Sequence, residues 1–257
     1  MLTFFRKIRK SFIRSESFQK YLLYALGEIA LVVIGILLAL QINNWNEAKI
    51  IAENEAYTLN EILNNLNEDA EQIKLVVNRR EKAKIAIAKM LEQFNNPSNK
   101  RIDISADVSS FIMFERYFPL DNAFEMMKST GLKIANKSLR TKISRYYDFE
   151  QNKIAKSIYD IEEVILRIFN SDNPIRTNIL KSQSGAGLES NISFVDVYDP
   201  EFLHFLKQEL ILFRDNNKAT LDKAIHFLKL NQILSSKIEN ELKTTRLNKY
   251  IIKLNTE

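Results

Sequence analysis

The sequence predicts an all-α protein. A single N-terminal transmembrane helix is expected to continue into a long helix, which packs into an extracytoplasmic antiparallel helical bundle. Three observations predict this fold. Among 257 residues there are only 5 glycines and 4 prolines, so few positions favour sharp turns. An apolar segment lies near the N-terminus. After it, apolar residues recur at the heptad spacing of a coiled coil.

The apolar segment, residues 21–45, is predicted to be a transmembrane anchor. From Tyr21 to Ile42 its only charged or amide side chains are Glu28 and Gln41. A helix of about 20 apolar residues is long enough to cross a bilayer. Tyr24 and Trp45 stand near the two ends, where aromatic rings favour the headgroup region. A buried helix of a soluble protein is the alternative.

The charge on the two sides of the segment predicts its orientation. Residues 1–20 carry six basic side chains and one acid, which accounts for the whole net charge of +5. Because basic flanks stay in the cytoplasm, residues 1–20 are predicted to be a cytoplasmic tail and residues 46–257 to lie across the membrane. The segment lacks the small-residue cleavage motif of a signal peptide, which favours an uncleaved signal anchor.

The basic tail is also predicted to be amphipathic. Its apolar residues recur at helical spacing between the lysines and arginines: Leu2, Phe4, Phe5, Ile8 and Phe12. Such a helix can lie in the membrane interface with its cations on anionic headgroups. The lipid bilayer is therefore an expected partner of the tail, whose charge also fixes the topology.

One face of the anchor is a candidate contact site. Glu28, Val32, Gly35, Ala39 and Ile42 share this face by helical spacing, and Gly35 and Ala39 form a small-xxx-small pair. Small residues let two helices approach closely, and a polar group then finds partners across the interface. We expect a homo-oligomer or a protein partner here. A lone Glu28 without a role is the alternative.

Four motifs stand out together: Phe4-Phe-Arg-Lys-Ile-Arg, Gly27-Glu-Ile, Leu40-Gln-Ile-Asn-Asn-Trp-Asn-Glu and Ala123-Phe-Glu-Met-Met-Lys-Ser-Thr-Gly. They resemble the motifs of a family of short, uncharacterised Gram-negative membrane proteins with a domain of unknown function. The resemblance implies a single-pass protein with a helical extracytoplasmic domain, and it implies no activity. With the charge asymmetry, we expect the anchor in the cell inner membrane and residues 46–257 in the periplasm.

After the anchor, a seam of residues spaced by three and four is expected to pack against the chain's own later helices or against another copy. Antiparallel packing within one chain is the favoured alternative. Two polar members of the seam could set register or partner choice. The seam consists of Leu59, Ile62, Leu66, Asp69, Ile73, Val76, Arg80, Ala83, Ile87, Met90 and Phe94.

Later boundaries follow from turn and capping residues. A short strand or an irregular lead-in is expected over 102–108, then a helix to about Tyr117. A capping box at Asn122 predicts a short helix over 122–130, and Gly131 is expected to be left-handed. Asn136 and the pair Asp199-Pro200 mark further helix starts. Residues 171–198 are predicted to be a long loop. Its end at 194–198 could pair as a strand with a partner, but a loop packed along the chain's own bundle is the favoured alternative.

No sequence motif indicates catalysis. The absence of cysteine excludes thiolate chemistry, and two histidines leave little for acid–base work. We expect no enzyme, cofactor or metal. Nucleic acid is not an expected partner, because residues 21–257 are neutral overall. The predicted function is a membrane-anchored helical scaffold or sensor-type interaction protein; the alternative is a subunit of an oligomeric channel or transporter with Glu28 at the helix interface.

Overall fold

The computed structural model describes residues 16–96, 101–170, 172–178, 180–182, 190–192, 195–196 and 199–254. The predicted amphipathic tail therefore lies outside the described residues up to residue 15. So does the middle of the predicted loop, residues 183–189.

The described ranges form seven α-helices, one π-helical turn and four short strands, so the all-α class is confirmed. The helices are α1 Glu16–Asn95, α2 Ser105–Ile112, α3 Asn122–Ser129, α4 Lys137–Arg145, the π-helical turn Tyr146–Gln151, α5 Asn152–Ile168, α6 Pro174–Asn178 and α7 Pro200–Leu254. The strands are β1 Arg101–Ile102, β2 Leu180–Ser182, β3 Ser190–Ile192 and β4 Val195–Asp196, with antiparallel pairing of β1 with β4 and of β2 with β3.

The chain divides into two compact units, Met1–Asn54 and Glu55–Glu257, and α1 contributes to both. In the first unit, almost every described side chain is exposed. The second unit contains two clusters of buried apolar side chains. Burial of apolar area is what stabilises a fold of this kind, so the second unit has a core of its own.

The predicted seam of α1 faces this core. All eleven seam residues, including the polar Asp69 and Arg80, expose at most 2% of their surface. The seam is therefore packed against the chain's own later segments, which is the first of the two expected alternatives. Because no glycine or proline lies between Trp45 and Phe94, α1 continues unbroken along the whole seam.

α1 and α7 are antiparallel, as two hydrogen bonds between them show. Leu66 O accepts from Asn231 Nδ2 at 2.8 Å, and Arg80 O accepts from Asn217 Nδ2 at 2.9 Å. α5 meets α7 through the hydroxyls of Ser157 and Thr220, 3.2 Å apart. Polar groups that are buried away from water need hydrogen-bond partners. Here the buried amides and hydroxyls find these partners on neighbouring helices.

Three of the predicted helix boundaries are confirmed. Gly131 has φ of 68°, a conformation that glycine adopts without strain. Asn136 caps α4 by accepting from Leu139 N at 3.1 Å. Asp199 Oδ1 accepts from Phe202 N at 3.0 Å, and Pro200 is the first residue of α7.

Other boundaries were predicted wrongly. α2 ends at Ile112 and not near Tyr117, because residues 113–121 are drawn out along α1 by its polar side chains. The capping box at Asn122 does not form; the Asn122 side chain instead accepts from Asn65 Nδ2 at 2.7 Å.

The predicted loop contains α6 and strands β2 to β4, so it is not structureless throughout. Val195 and Asp196 do pair as a strand, and their partner is β1 of the same chain. Within the predicted 102–108 segment only Ile102 is strand, as the second residue of β1, and α2 already begins at Ser105.

Candidate functional sites

The anchor face lies on an exposed part of α1. Glu28, Val32, Gly35, Ala39 and Ile42 are all exposed. The surrounding helix contains an 18-residue window with mean hydropathy 2.5, and none of this window is buried. A Cβ atom added at Gly35 would meet no atom within 4 Å. The described chain therefore leaves this face open and makes the N-terminal part of α1 a candidate membrane span.

The second site is a buried polar cluster around Asp69, which is 0% exposed. Asp69 Oδ2 accepts from Tyr146 Oη at 3.0 Å and from Gln151 Nε2 at 2.8 Å. Asp69 Oδ1 accepts from Leu120 N at 3.3 Å. A buried carboxylate needs such donors, and here the π-helical turn and residues 113–121 supply them.

The π-helical turn explains why Tyr146 and Gln151 reach the same oxygen. In an α-helix, side chains five residues apart point about 140° away from each other. The i→i+5 bonds of a π-helical turn bring such residues to one side. Both side chains are buried, and both donate to Asp69 Oδ2. The local helix type is therefore part of the site.

α7 joins the cluster through Asn231. Its Nδ2 donates to Tyr146 Oη at 2.9 Å and to Leu66 O at 2.8 Å. Asp69 is thereby linked to α1, the 113–121 segment, the π-helical turn and α7. Cooperative networks of this kind specify one arrangement of their elements, since any other leaves a polar group unpaired.

Burial dominates the electrostatics of the cluster. Loss of water raises the pKa of Asp69, and the donors from Gln151, Tyr117, Tyr146 and Leu120 partly oppose this effect. Burial and, next, the charge of Asp69 raise the pKa of Tyr146 well above its usual range. The Tyr146 hydroxyl therefore stays protonated and remains a donor to Asp69.

Residues 113–121, which we term the strap, run antiparallel to α1. Because the strap is not part of a sheet, its backbone polar groups need side-chain partners. Gln72 provides a reciprocal pair: Nε2 donates to Phe118 O at 3.1 Å, and Oε1 accepts from Phe118 N at 2.9 Å. Arg79 donates to Glu115 Oε1 at 2.9 Å and forms a salt bridge with it.

Arg80 is the second polar member of the seam and is also bound to the strap. Its guanidinium is 1% exposed and donates to Met113 O and, at 3.4 Å, to Asn217 Oδ1. Among the described residues no carboxylate forms a salt bridge with it. Burial and then the neighbouring Arg79 lower the pKa of Arg80 to about 10. It still carries its charge at neutral pH.

Helical spacing places Asp69 and Arg80 in the seam, where they are predicted to set register or partner choice. In the structure they bind the strap, and Asp69 also binds the π-helical turn. Tyr146, Gln151 and Asn231 were missed as members of one cluster. Helical spacing indicates which positions are buried, but it carries no signal for which buried polar side chains meet across the chain.

The fold and these sites define an all-α protein with one candidate membrane span and a separate helical unit with a polar core. Its family is found in sequence comparison: residues 28–172, more than half of the chain, match a family of unknown function, DUF6090, and the chain belongs to that family. No curated protein and no solved structure matches the chain.

Proposed function

We propose that the protein is a single-pass membrane-anchored scaffold or sensor-type interaction protein without catalytic chemistry. The observation that carries this proposal is the apolar window of α1 with mean hydropathy 2.5 and no buried residue. A core helix of a soluble protein would bury these side chains, because exposing them to water costs free energy. A lipid bilayer would cover them instead.

The orientation and location form part of the same proposal. The six basic side chains of residues 1–20 favour a cytoplasmic N-terminus, with anionic headgroups as partners of the tail. Residues 46–257 then form a periplasmic helical bundle, and the membrane is the cell inner membrane. The buried polar groups of the second unit bond one another, which holds its helices in one arrangement, as a scaffold requires.

The anchor face is proposed to make the contact with a second copy or a partner helix. Replacing Gly35 by leucine is expected to weaken a homo-oligomer about tenfold or more, because the added side chain separates the two backbones. In the single chain a Cβ atom added at Gly35 meets no atom within 4 Å, so the variant is expected to fold as the unmodified protein does. Cross-linking in mild detergent, followed by mass measurement of the complex, gives the copy number.

Gly27→Leu is the matched control. Gly27 is equally open, and it lies about 100° around the helix from Glu28. We expect this variant to retain the complex. Equal loss in both variants would mean that bulk, not the face, matters; a monomer in the unmodified protein would contradict the oligomer outright.

A channel or transporter subunit is the second candidate function. It is favoured by Glu28, an ionisable residue on the same exposed face as Gly35 and Ala39. Carboxylates within apolar segments often mark ion pathways. This candidate requires Glu28→Gln to alter ion flux through reconstituted protein, and unchanged flux would contradict it.

A further inference from the structure

A small cavity lies where the π-helical turn and α5 meet α7. Its volume is about 220 Å³, which is below the ~300–1,000 Å³ of pockets for drug-sized ligands. Ile154 and Phe227, both 2% exposed, form its apolar floor, and Phe227 also stacks on Tyr146 at 4.9 Å. The other lining residues carry charged or titratable side chains: Glu150, Lys153, Asp222, Lys223 and His226. A small ligand with both polar and apolar parts would suit this cavity.

A buried carboxylate in the cavity wall lacks part of its hydrogen bonding. Glu150 is 7% exposed and belongs to the π-helical turn, a type of structure that is frequent at functional sites. Its Oε1 accepts from Nε and Nη2 of Arg145, each at 3.2 Å. Its Oε2 accepts no hydrogen bond from a described residue, although Glu150 lines the cavity. A buried acceptor of this kind is costly unless a ligand or water donates to it.

The charges around the cavity balance each other. Glu150 and Asp222 contribute two carboxylates, and Lys153 and Lys223 contribute two ammonium groups. Neither lysine forms a salt bridge with a described residue, and the one hydrogen bond of Lys223 goes to Ser157 Oγ at 3.2 Å. Because an ammonium group has three N–H donors, both lysines keep donors for a ligand. A ligand with one positive and one negative group would match this lining better than a cation or an anion alone.

We propose that this cavity binds a free α-amino acid with a short apolar side chain. Glu150 Oε2 and Asp222 accept the N–H groups of its ammonium, and Lys153 and Lys223 donate to its carboxylate. The side chain of the amino acid packs on the apolar floor. All of these residues lie in the second unit, so the site goes beyond the scaffold function and does not depend on the proposed membrane anchor.

The chemistry of the lining argues against a metal ion as the ligand. Among the described residues no three acidic or histidine side chains are close enough to hold one. The two lysines of the cavity would also repel a metal cation, whereas they attract the carboxylate of an amino acid.

The test is equilibrium dialysis of the full-length protein in detergent micelles against radiolabelled L-valine, for which we expect saturable binding. Two analogues each keep one of its charges: L-valinamide keeps the ammonium, and 3-methylbutanoate keeps the carboxylate. Each analogue should compete at least about tenfold less well than valine, because it leaves two charged side chains of the cavity without a partner. Equal competition by either analogue would overturn the zwitterionic ligand class.

Glu150→Gln and Lys223→Gln are each expected to weaken valine binding about tenfold, since each loses a charge-assisted hydrogen bond to the ligand. Glutamine at position 150 retains an oxygen that can accept from Arg145. The matched controls are Glu163→Gln on α5 and Lys229→Gln on α7, which remove the same charges from exposed positions outside the cavity. Affinity should change less than about twofold in both controls.

Two results would overturn the site. Equal loss in the variants and their controls would mean diffuse attraction instead of a cavity. No saturable binding of L-valine, L-alanine or L-leucine by the unmodified protein would overturn the proposal outright. Circular dichroism verifies that each variant is folded, and if Glu150→Gln is not, Lys223→Gln decides, because Lys223 is exposed. Unchanged affinity in a folded Lys223→Gln would contradict the assigned carboxylate contact.

Discussion

Simultaneous replacement of Leu31, Ile34 and Leu38 by aspartate is expected to release the protein from the membrane. Each aspartate near the centre of a spanning helix costs about 2.5–3.5 kcal/mol, so three cost roughly 8–10 kcal/mol. Each apolar residue contributes only about 0.3–0.6 kcal/mol in the opposite direction. Alkaline extraction of membranes and immunoblotting measure the result: the unmodified protein in the pellet and the variant in the supernatant.

The matched control places the same three charges at Ile50, Ile51 and Tyr57. These side chains are 48–60% exposed, comparable with the anchor positions, but they lie beyond the predicted span. Aspartate is preferred to lysine because acidic residues have little influence on orientation. The control should stay in the pellet. Retention of the anchor variant there would contradict a transmembrane α1.

Asp69→Leu is expected to destabilise the second unit strongly. It leaves Leu120 N, Tyr146 Oη and Gln151 Nε2 buried with lost bonds. Each unsatisfied group costs about 1–3 kcal/mol. Gln151 Nε2 retains Leu120 O as an acceptor, so the loss falls mainly on Leu120 N and the Tyr146 hydroxyl and sums to about 3–5 kcal/mol. For a unit of this size the thermal midpoint should fall by roughly 10 °C. Circular dichroism melting in detergent measures it.

Asp69→Asn separates the charge from the hydrogen bonds. Burial raises the Asp69 pKa above its unfolded value of 3.8, so between these two values the folded chain binds more protons than the unfolded chain. Stability from this group therefore rises as pH falls through the folded pKa. Urea unfolding at a series of pH values from 7 down to about 4 should show the unmodified protein gaining stability relative to Asp69→Asn. A relative loss would mean that the carboxylate is stabilised as an anion.

The seam of α1 shows how far the sequence determines the fold. Its eleven positions are predicted by spacing alone, and all are buried. Local signals were equally sufficient at Gly131 and Asn136, where one residue satisfies the end of a helix. The sequence predicts helix for the first part of the strap, to about Tyr117. This prediction is wrong because the conformation of the strap depends on side chains of α1 that are distant in the sequence, such as Gln72 and Arg80. Hydrogen bonds between residues far apart in the chain produce no periodic pattern in the sequence.

The polar cluster follows the same principle. Asp69 is conspicuous as an acid in an apolar seam, but its partners are 51 to 82 residues away in the chain. The π-helical turn that aligns Tyr146 with Gln151 has no sequence signature comparable to a cap. The anchor face, in contrast, depends only on one helix, so its residues follow directly from helical geometry.

Single-cysteine labelling tests the central claim most directly, because the chain has no cysteine of its own. Ser11→Cys marks the tail, and Ser129→Cys marks an exposed position at the end of α3. In intact spheroplasts, a membrane-impermeant maleimide should label Ser129→Cys, and it should label Ser11→Cys only after lysis. Labelling of the tail variant alone would mean the opposite orientation, and labelling of both before lysis would contradict a transmembrane anchor.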